Sequence, residues 1–293
     1  MFKTASLYTI ALLGVLTFFS SCKQEYEDIK DIDDRKIQQY LLPSSLTHTK
    51  DPSGFYYQVL DPGTGAPLLN KDSVLFTFDY KSLGGTVYYS TTEYSNEGNY
   101  LGYISRDKNS MYPTDAFRIA LSAIKRGGKV RVILPSYLAF GKNGLNNIPS
   151  NEVIVADVVT FPQANQTALD DARIAAFLSS KGITATRHSS GVYYVVTQAG
   201  TGESIELTST ITAKYTGRLL TGTVFEETTG DNTLVSRLSG LIPGWQKVLP
   251  LFKQGAKVRL FVPSVLAYGT QVQSDIPANS CLDFDMEITA VTN

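Results

Sequence analysis

From Ser53 onward the chain is a succession of short apolar runs of strand length, separated by turn residues. The runs are Gly54-Phe-Tyr-Tyr-Gln-Val, Ser73-Val-Leu-Phe-Thr-Phe-Asp-Tyr, Lys129–Leu134, Glu152–Phe161 and Lys257–Pro263. Helical spacing replaces the strand pattern at about 31–42, where Ile37, Tyr40 and Leu41 share a face, and again at Leu169–Lys181. A third helix is predicted between Gly244 and Gly255. There Trp245, Val248, Leu249 and Phe252 stand at i, i+3, i+4 and i+7, an apolar face about two turns long. Many short strands with one short helix before the last of them predict an α+β fold, an antiparallel sheet wrapped on a single helix.

The pattern occurs twice. Asp170-Asp-Ala-Arg-Ile-Ala-Ala-Phe-Leu answers Asp33-Asp-Arg-Lys-Ile-Gln-Gln-Tyr-Leu at an offset of 137 residues. Ser190-Gly-Val-Tyr-Tyr answers Ser53-Gly-Phe-Tyr-Tyr, and Gly200-Thr-Gly answers Gly63-Thr-Gly, without a gap. Further on the offset becomes 128: Lys257-Val-Arg-Leu-Phe-Val-Pro-Ser matches Lys129-Val-Arg-Val-Ile-Leu-Pro-Ser, and Ile276-Pro matches Ile148-Pro. Two constant offsets in series mean two copies of one domain, with a period far too long for a solenoid. The expected division is a signal peptide at 1–21 and an anchor, acidic tether and short helix at 22–45. A first domain at 46–162, a helical linker at 163–183 and a second domain at 184–293 follow. Each copy carries its own preceding helix. Thr167 and Asp170 are a candidate capping pair for the linker helix, with Gly182 its stop. Asp33/Asp34 and Asp170/Asp171 read as helix caps and dipole partners rather than paired catalytic carboxylates.

Charge and composition narrow the chemistry. At 293 residues there is room for two domains of ordinary size, and a formal net charge of −1 removes a broad electrostatic case for nucleic acid. Two His (His48, His188) and two Cys (Cys22, Cys281) supply neither a metal site nor a disulfide framework. The Gly-Thr-Gly triplets are turns, since neither opens a phosphate-binding fingerprint. No Ser or Thr has a base beside it in sequence, so nucleophilic catalysis has no support. No cofactor is expected.

At the N-terminus, Lys3 and the apolar run Leu7–Phe19 have the form of a signal peptide, too short to span a bilayer comfortably. Phe19-Ser-Ser-Cys22 resembles a bacterial lipoprotein lipobox, with Phe19 where Leu is usual. The resemblance implies cleavage before Cys22 and lipidation of that residue. The chain would then be lipid-anchored in the bacterial cell envelope, at the outer membrane, facing the periplasm or the surface. The run Lys23-Gln-Glu-Tyr-Glu-Asp resembles acidic export signals of some surface lipoproteins. Cys281, in a strand, reads as an inert buried residue.

The second copy carries Tyr215-Thr-Gly-Arg-Leu, Gly222-Thr-Val-Phe225-Glu226, Leu241-Ile-Pro-Gly-Trp245, Ala267-Tyr268-Gly269, Ile276-Pro277 and Leu282-Asp-Phe284-Asp. In order and spacing these resemble the signature of FKBP-type peptidyl-prolyl cis/trans isomerases, over about residues 190–290. The resemblance implies two tandem FKBP-like domains, each a curved antiparallel sheet around one short helix. It implies a catalytic pocket with Trp245 as floor and Tyr215, Phe225, Leu241, Ile242, Ile276 and Phe284 as walls. Tyr268 would donate its hydroxyl to a substrate carbonyl, and the Ile242 backbone N–H would be a second donor. Glu226 stands where the family usually has Asp, and Leu234 where another pocket aromatic is usual. The implied substrates are proline-containing polypeptides, and the Trp245 pocket would also be the place for a macrolide inhibitor. The first copy resembles the same fold with a degenerate pocket. Phe117 replaces Trp245, Phe140 replaces Tyr268, Tyr89 replaces Glu226 and Ala156 replaces Phe284, while Tyr80 and Tyr88 are expected to keep two aromatic positions. Leu-Ile-Pro-Gly has become Pro113-Thr-Asp-Ala. The implied function is proline isomerisation in the C-terminal domain, assisting folding outside the cytoplasm. The alternative is a non-catalytic chaperone or scaffold that binds extended proline-containing chains.

Overall fold

The structure, a computed structural model, describes residues 27–45, 47–104, 115–230 and 232–293. The expected signal peptide, Cys22 and the Pro113-Thr pair lie outside these residues. Helix α1 (Ile29–Leu41) begins two residues before the predicted start, inside the stretch read as an acidic tether. Its cap is Asp28, whose carboxylate accepts the Lys30 N–H at 3.0 Å. Asp33 and Asp34 therefore do not cap it.

The first sheet is built from β1 (His48–Lys50), β2 (Tyr56–Asp61), β3 (Ser73–Lys81), β4 (Val87–Ser90), β5 (Glu97–Tyr100), β6 (Lys129–Leu134) and β7 (Ile154–Thr160), with helix α2 (Asp115–Leu121) before β6. Its strands run β1-β2-β6-β7-β3-β4, and β5 also pairs with β3. Helix α3 (Gln166–Ser180) leads to the second sheet of β8 (Thr186–Arg187), β9 (Tyr193–Gln198), β10 (Thr210–Leu219), β11 (Val224–Glu227), β12 (Leu234–Arg237), β13 (Lys257–Val262) and β14 (Leu282–Thr292), with helix α4 (Pro243–Val248) before β13. Its order, β8-β9-β13-β14-β10-β11 with β12 on β10, repeats the first strand for strand. All these pairings are antiparallel. The fold is α+β, two tandem FKBP-like units, as the pattern and the resemblance predict.

Each sheet is covered on both faces. The short helices α2 and α4 plug one face, with Phe117 or Trp245 at the centre of the core. The preceding helices α1 and α3 cover the other face: Ile37 and Leu41 pack on Tyr56 and Ile133, and Ile174 and Leu178 pack on Phe261 and Cys281. Alternate residues of a strand point to opposite faces, so one strand serves both layers. Leu260 and Val262 face the α4 core while Phe261 between them faces α3.

Helix α3 is capped by Asn165, which accepts the Ala168 N–H at 2.9 Å, and not by the Thr167–Asp170 pair. Gly182 does stop it. With φ at 62° it takes the left-handed conformation, and Ile183 N–H reaches back to the Leu178 carbonyl at 2.9 Å. Helix α4 is shorter than the predicted two turns. Pro250 has no N–H and crowds the carbonyl four residues back, so the chain tightens into a 3-10 turn at Leu249–Leu251. Trp245, Val248, Leu249 and Phe252 still bury into one core. None of the described helices is long and apolar enough to cross a membrane.

Candidate active site

Four aromatic rings form the centre of the second core. Tyr215 and Gly217 lie on the same face of β10, Phe284 sits opposite Gly217 on β14, and Trp245 rises from the first turn of α4. Tyr215 and Trp245 meet edge-on with centroids 5.3 Å apart, and Trp245 meets Phe284 at 5.0 Å and 79°. Phe225, on β11, stands edge-on to Phe284 at 5.8 Å. Such near-perpendicular pairs place ring edges on ring faces, the electrostatically favoured arrangement. Trp245, Tyr215, Phe284 and Ile276 are buried, while Phe225, Leu234, Leu241, Ile242 and Tyr268 are half-buried against the same cluster. Of the candidate residues only Glu226 is exposed.

Gly217 is what makes room. A Cβ there would come within 2.6 Å of the Phe225 ring and 3.0 Å of Phe284. A glycine in the interior of a strand often marks such a close approach, and this was the available sequence signal for it. Leu266, Ala267 and Tyr194 also pack at the edge of the cluster.

The polar atoms are few and placed at the rim or floor. The Tyr268 hydroxyl has no hydrogen-bond partner among the described residues, and neither has the Ile242 N–H, which is the N-cap of α4. The buried Trp245 Nε1 is likewise unpartnered. Burial pushes the Tyr215 hydroxyl well above the usual phenol range, helped by the neighbouring Glu226 carboxylate. Burial, and then the Glu226 charge, raise Tyr268 as well. Among the described residues no three His, Cys, Asp or Glu side chains gather as metal ligands.

The first domain has the same frame with the space filled. Strand pairing sets Tyr80 opposite Ala156, as Gly217 is opposite Phe284. Tyr80 therefore corresponds to the glycine, and Phe78 to Tyr215. This corrects the expectation that Tyr80 keeps an aromatic wall position. The Tyr80 ring is fully buried, with centroids 4.9 Å from Phe78, 6.0 Å from Tyr89, 6.4 Å from Phe117 and 5.8 Å from Phe140. In the second domain that place belongs to Gly217, with the Phe225 and Phe284 rings packed against it.

The duplicated aspartates have a role that reading them as caps missed. Asp33 and Asp170 are fully buried. One oxygen of Asp33 accepts the Ser136 N–H at 2.8 Å and hydroxyl at 2.7 Å, and one oxygen of Asp170 accepts the Ser264 hydroxyl at 2.7 Å. Each pins its helix to the Pro-Ser turn that leads to Phe140 or Tyr268.

Residues 202–289 match the family described as FKBP-type peptidyl-prolyl cis-trans isomerase. The FKBP-type peptidyl-prolyl cis-trans isomerase FkpA of Buchnera aphidicola (strain APS) is 41% identical over 118 residues, 40% of this chain and 48% of that protein. FkpA of Escherichia coli K12 is 39% identical over 116 residues, 39% of this chain and 42% of that protein. Outer membrane protein MIP of Legionella longbeachae is 36% identical over 126 residues, 42% of this chain and 53% of that protein. The crystal structure of Escherichia coli FkpA is similar at 36% identity, over 43% of this chain and 59% of that one, with a TM-score of 0.39. The chain spans about half the length of the curated relatives it matches.

Proposed function

We propose that the FKBP-type domain formed by the C-terminal half of this chain catalyses cis/trans isomerisation of X-Pro bonds. The peptide bond resists rotation because resonance gives it double-bond character, with a barrier of about 18–20 kcal/mol. At the twisted transition state that resonance is lost, and with it much of the carbonyl's polarity. A cup walled by Tyr215, Phe225, Trp245, Ile276 and Phe284 is apolar and poor in water, so it favours the twisted form over the planar one. Tyr268 and the Ile242 N–H stand at its edge as donors for the flanking carbonyls. No nucleophile is required. A thousandfold acceleration asks for about 4 kcal/mol.

The observation that carries the reading is the contrast between copies. The frame persists in the first domain with Trp245, Tyr268 and Phe284 replaced by Phe117, Phe140 and Ala156 and with Tyr80 at the place of Gly217, so packing alone does not demand the residue set of the second domain. The first domain is read as non-catalytic, and the substrates as proline-containing chains folding outside the cytoplasm. Lipidation at Cys22 would hold the protein at the envelope. A macrolide inhibitor would lie over Trp245, where its binding would perturb the fluorescence of the only tryptophan.

The test is a proline-isomerisation assay on the whole chain with a short X-Pro peptide. Acceleration above the uncatalysed rate is expected, and none would leave the non-catalytic chaperone as the better reading. Cys22→Ser is expected to move the protein from the membrane fraction to the soluble one; continued sedimentation with membranes would refute the anchor.

A further inference from the structure

The two domains are joined by a partly buried polar lattice as well as by the chain. Asn96, in the loop between β4 and β5 of the first domain, is fully buried. Its Oδ1 accepts from Arg173 Nη1 at 2.6 Å and from Gln166 Nε2 at 3.1 Å, and its Nδ2 donates to Gln166 Oε1 at 2.9 Å. Arg173 Nη2 also donates to the Ser95 carbonyl at 2.8 Å. Gln166 continues to Asp170 at 2.7 Å, and Asp170 holds Ser264. On the other side, Ser95 Oγ donates to the Ala278 carbonyl at 2.6 Å, and Asn279 Nδ2 donates to the Asn96 carbonyl at 2.8 Å.

These contacts end on the two segments that frame the cup. Ser264 begins the turn that carries Tyr268, and Ala278–Asn279 directly follow Ile276-Pro277. The segments are themselves tied by Asn279 N–H to the Gly269 carbonyl at 2.7 Å. Tyr94, next to the lattice, has φ at 59°, a left-handed backbone that a bulky side chain rarely adopts. Conformations of this kind cost about 1–3 kcal/mol and persist only where the surroundings impose them. Here the Tyr94 ring packs into the α3 cluster with Ile174 and Phe177.

Duplication separates what the fold needs from what the tandem adds. The Asp–Ser strut occurs in both copies. The partners that reach across do not. Ile29 and Lys36 stand where α3 has Gln166 and Arg173. Asn151, the counterpart of Asn279, has the same left-handed backbone but is exposed.

We propose that the first domain is a built-in brace for the site of the second: Ser95 and Asn96, held by Gln166 and Arg173, position the 276–279 segment and thereby the Ile276 wall of the Trp245 cup. These are positioning residues, and the proposal rests on the isomerase reading for its consequence in turnover. The test uses the whole chain with Asn96→Ala and, separately, Asn279→Gly. Glycine keeps the left-handed backbone at 279 and removes only the donor to Asn96. Trp245 is the only tryptophan, so acrylamide quenching reports the cup without any turnover. In variants with native circular dichroism, the quenching constant is expected to rise at least twofold. The kcat/KM is expected to fall about tenfold, mainly in kcat, with KM within about twofold. Native quenching and native kinetics in folded Asn279→Gly would overturn the brace, as would altered quenching with unchanged kcat/KM in an active parent. If the parent is inactive, the isomerase reading falls and quenching alone decides whether the brace exists.

Discussion

At Tyr268 the duplication supplies an internal control, because Phe140 takes the same place in a domain that folds around it. Tyr268→Phe is therefore expected to leave the melting temperature unchanged. It removes one hydrogen bond to the substrate, worth about 0.5–1.5 kcal/mol, so kcat/KM should fall about two- to tenfold. An unchanged kcat/KM would show that the hydroxyl is not a donor in the transition state. The pH dependence follows from the same group. Burial and the Glu226 charge raise the ionisation of Tyr268, so the native state keeps the neutral, donating form above the ordinary phenol value of about 10. Its contribution to stability is full below that value and is lost as pH rises through the higher folded value. The expected profile of kcat/KM is flat from about pH 7 to 10; an alkaline decline centred below pH 9 would contradict this environment. The resemblance of the separated motifs named residues that the fold does gather in one cluster, Tyr215, Trp245, Ile276 and Phe284 among them. Tyr80 was misplaced. In a strand, residues two apart face the same side, so Phe78 and Tyr80 look equivalent by pattern; the offset of 137 residues carried on through β3, which the pairing with Ala156 bears out, sets Tyr80 against Gly217.

At the scale of elements, the two cores differ at one cross-strand pair. Gly217 opposite Phe284 lets the Phe225 and Phe284 rings close onto the strand, whereas Tyr80 opposite Ala156 places its own ring there. Gly217→Ala alone forces a Cβ into contact with the Phe225 ring and is expected to destabilise the C-terminal domain by about 1–3 kcal/mol. The double variant Gly217→Tyr with Phe284→Ala imports the first-domain pair. It is expected to fold better than Gly217→Tyr alone and to have no detectable isomerase activity. Retained activity in a folded double variant would show that the cup is not where turnover occurs. Element boundaries were less legible than element existence, for identifiable reasons. Pro250 divides the helix that carries Trp245, and Asp28 and Asn165, not the paired aspartates, supply the caps. Asp33 and Asp170 read as helix caps because their partners, Ser136 and Ser264, lie 103 and 94 residues away. No local pattern records a contact of that range.

The two units were visible in the sequence as constant offsets, but how they touch was not, because Asn96, Gln166 and Arg173 are ordinary surface residue types. Their burial changes the expected behaviour of the whole molecule. Asn96 is fully buried and Gln166 and Arg173 are half-buried around it, so opening the interface leaves the Asn96 amide without its partners. Burial lowers the Arg173 ionisation from the usual guanidinium value, which marks how far it is withdrawn from solvent. The interface also carries the apolar contact of Tyr94 with α3. The tandem should consequently unfold as one unit in urea. Trp245 fluorescence reports the C-terminal core alone, and far-UV circular dichroism reports both sheets. Coincident midpoints and a single slope proportional to the surface of both domains are expected for the parent chain. Asn96→Ala should separate the two signals, with circular dichroism showing an early phase that Trp245 does not follow. Two resolved phases in the parent would mean that the domains are linked mechanically but not energetically, and that the lattice forms too weak a joint to couple them.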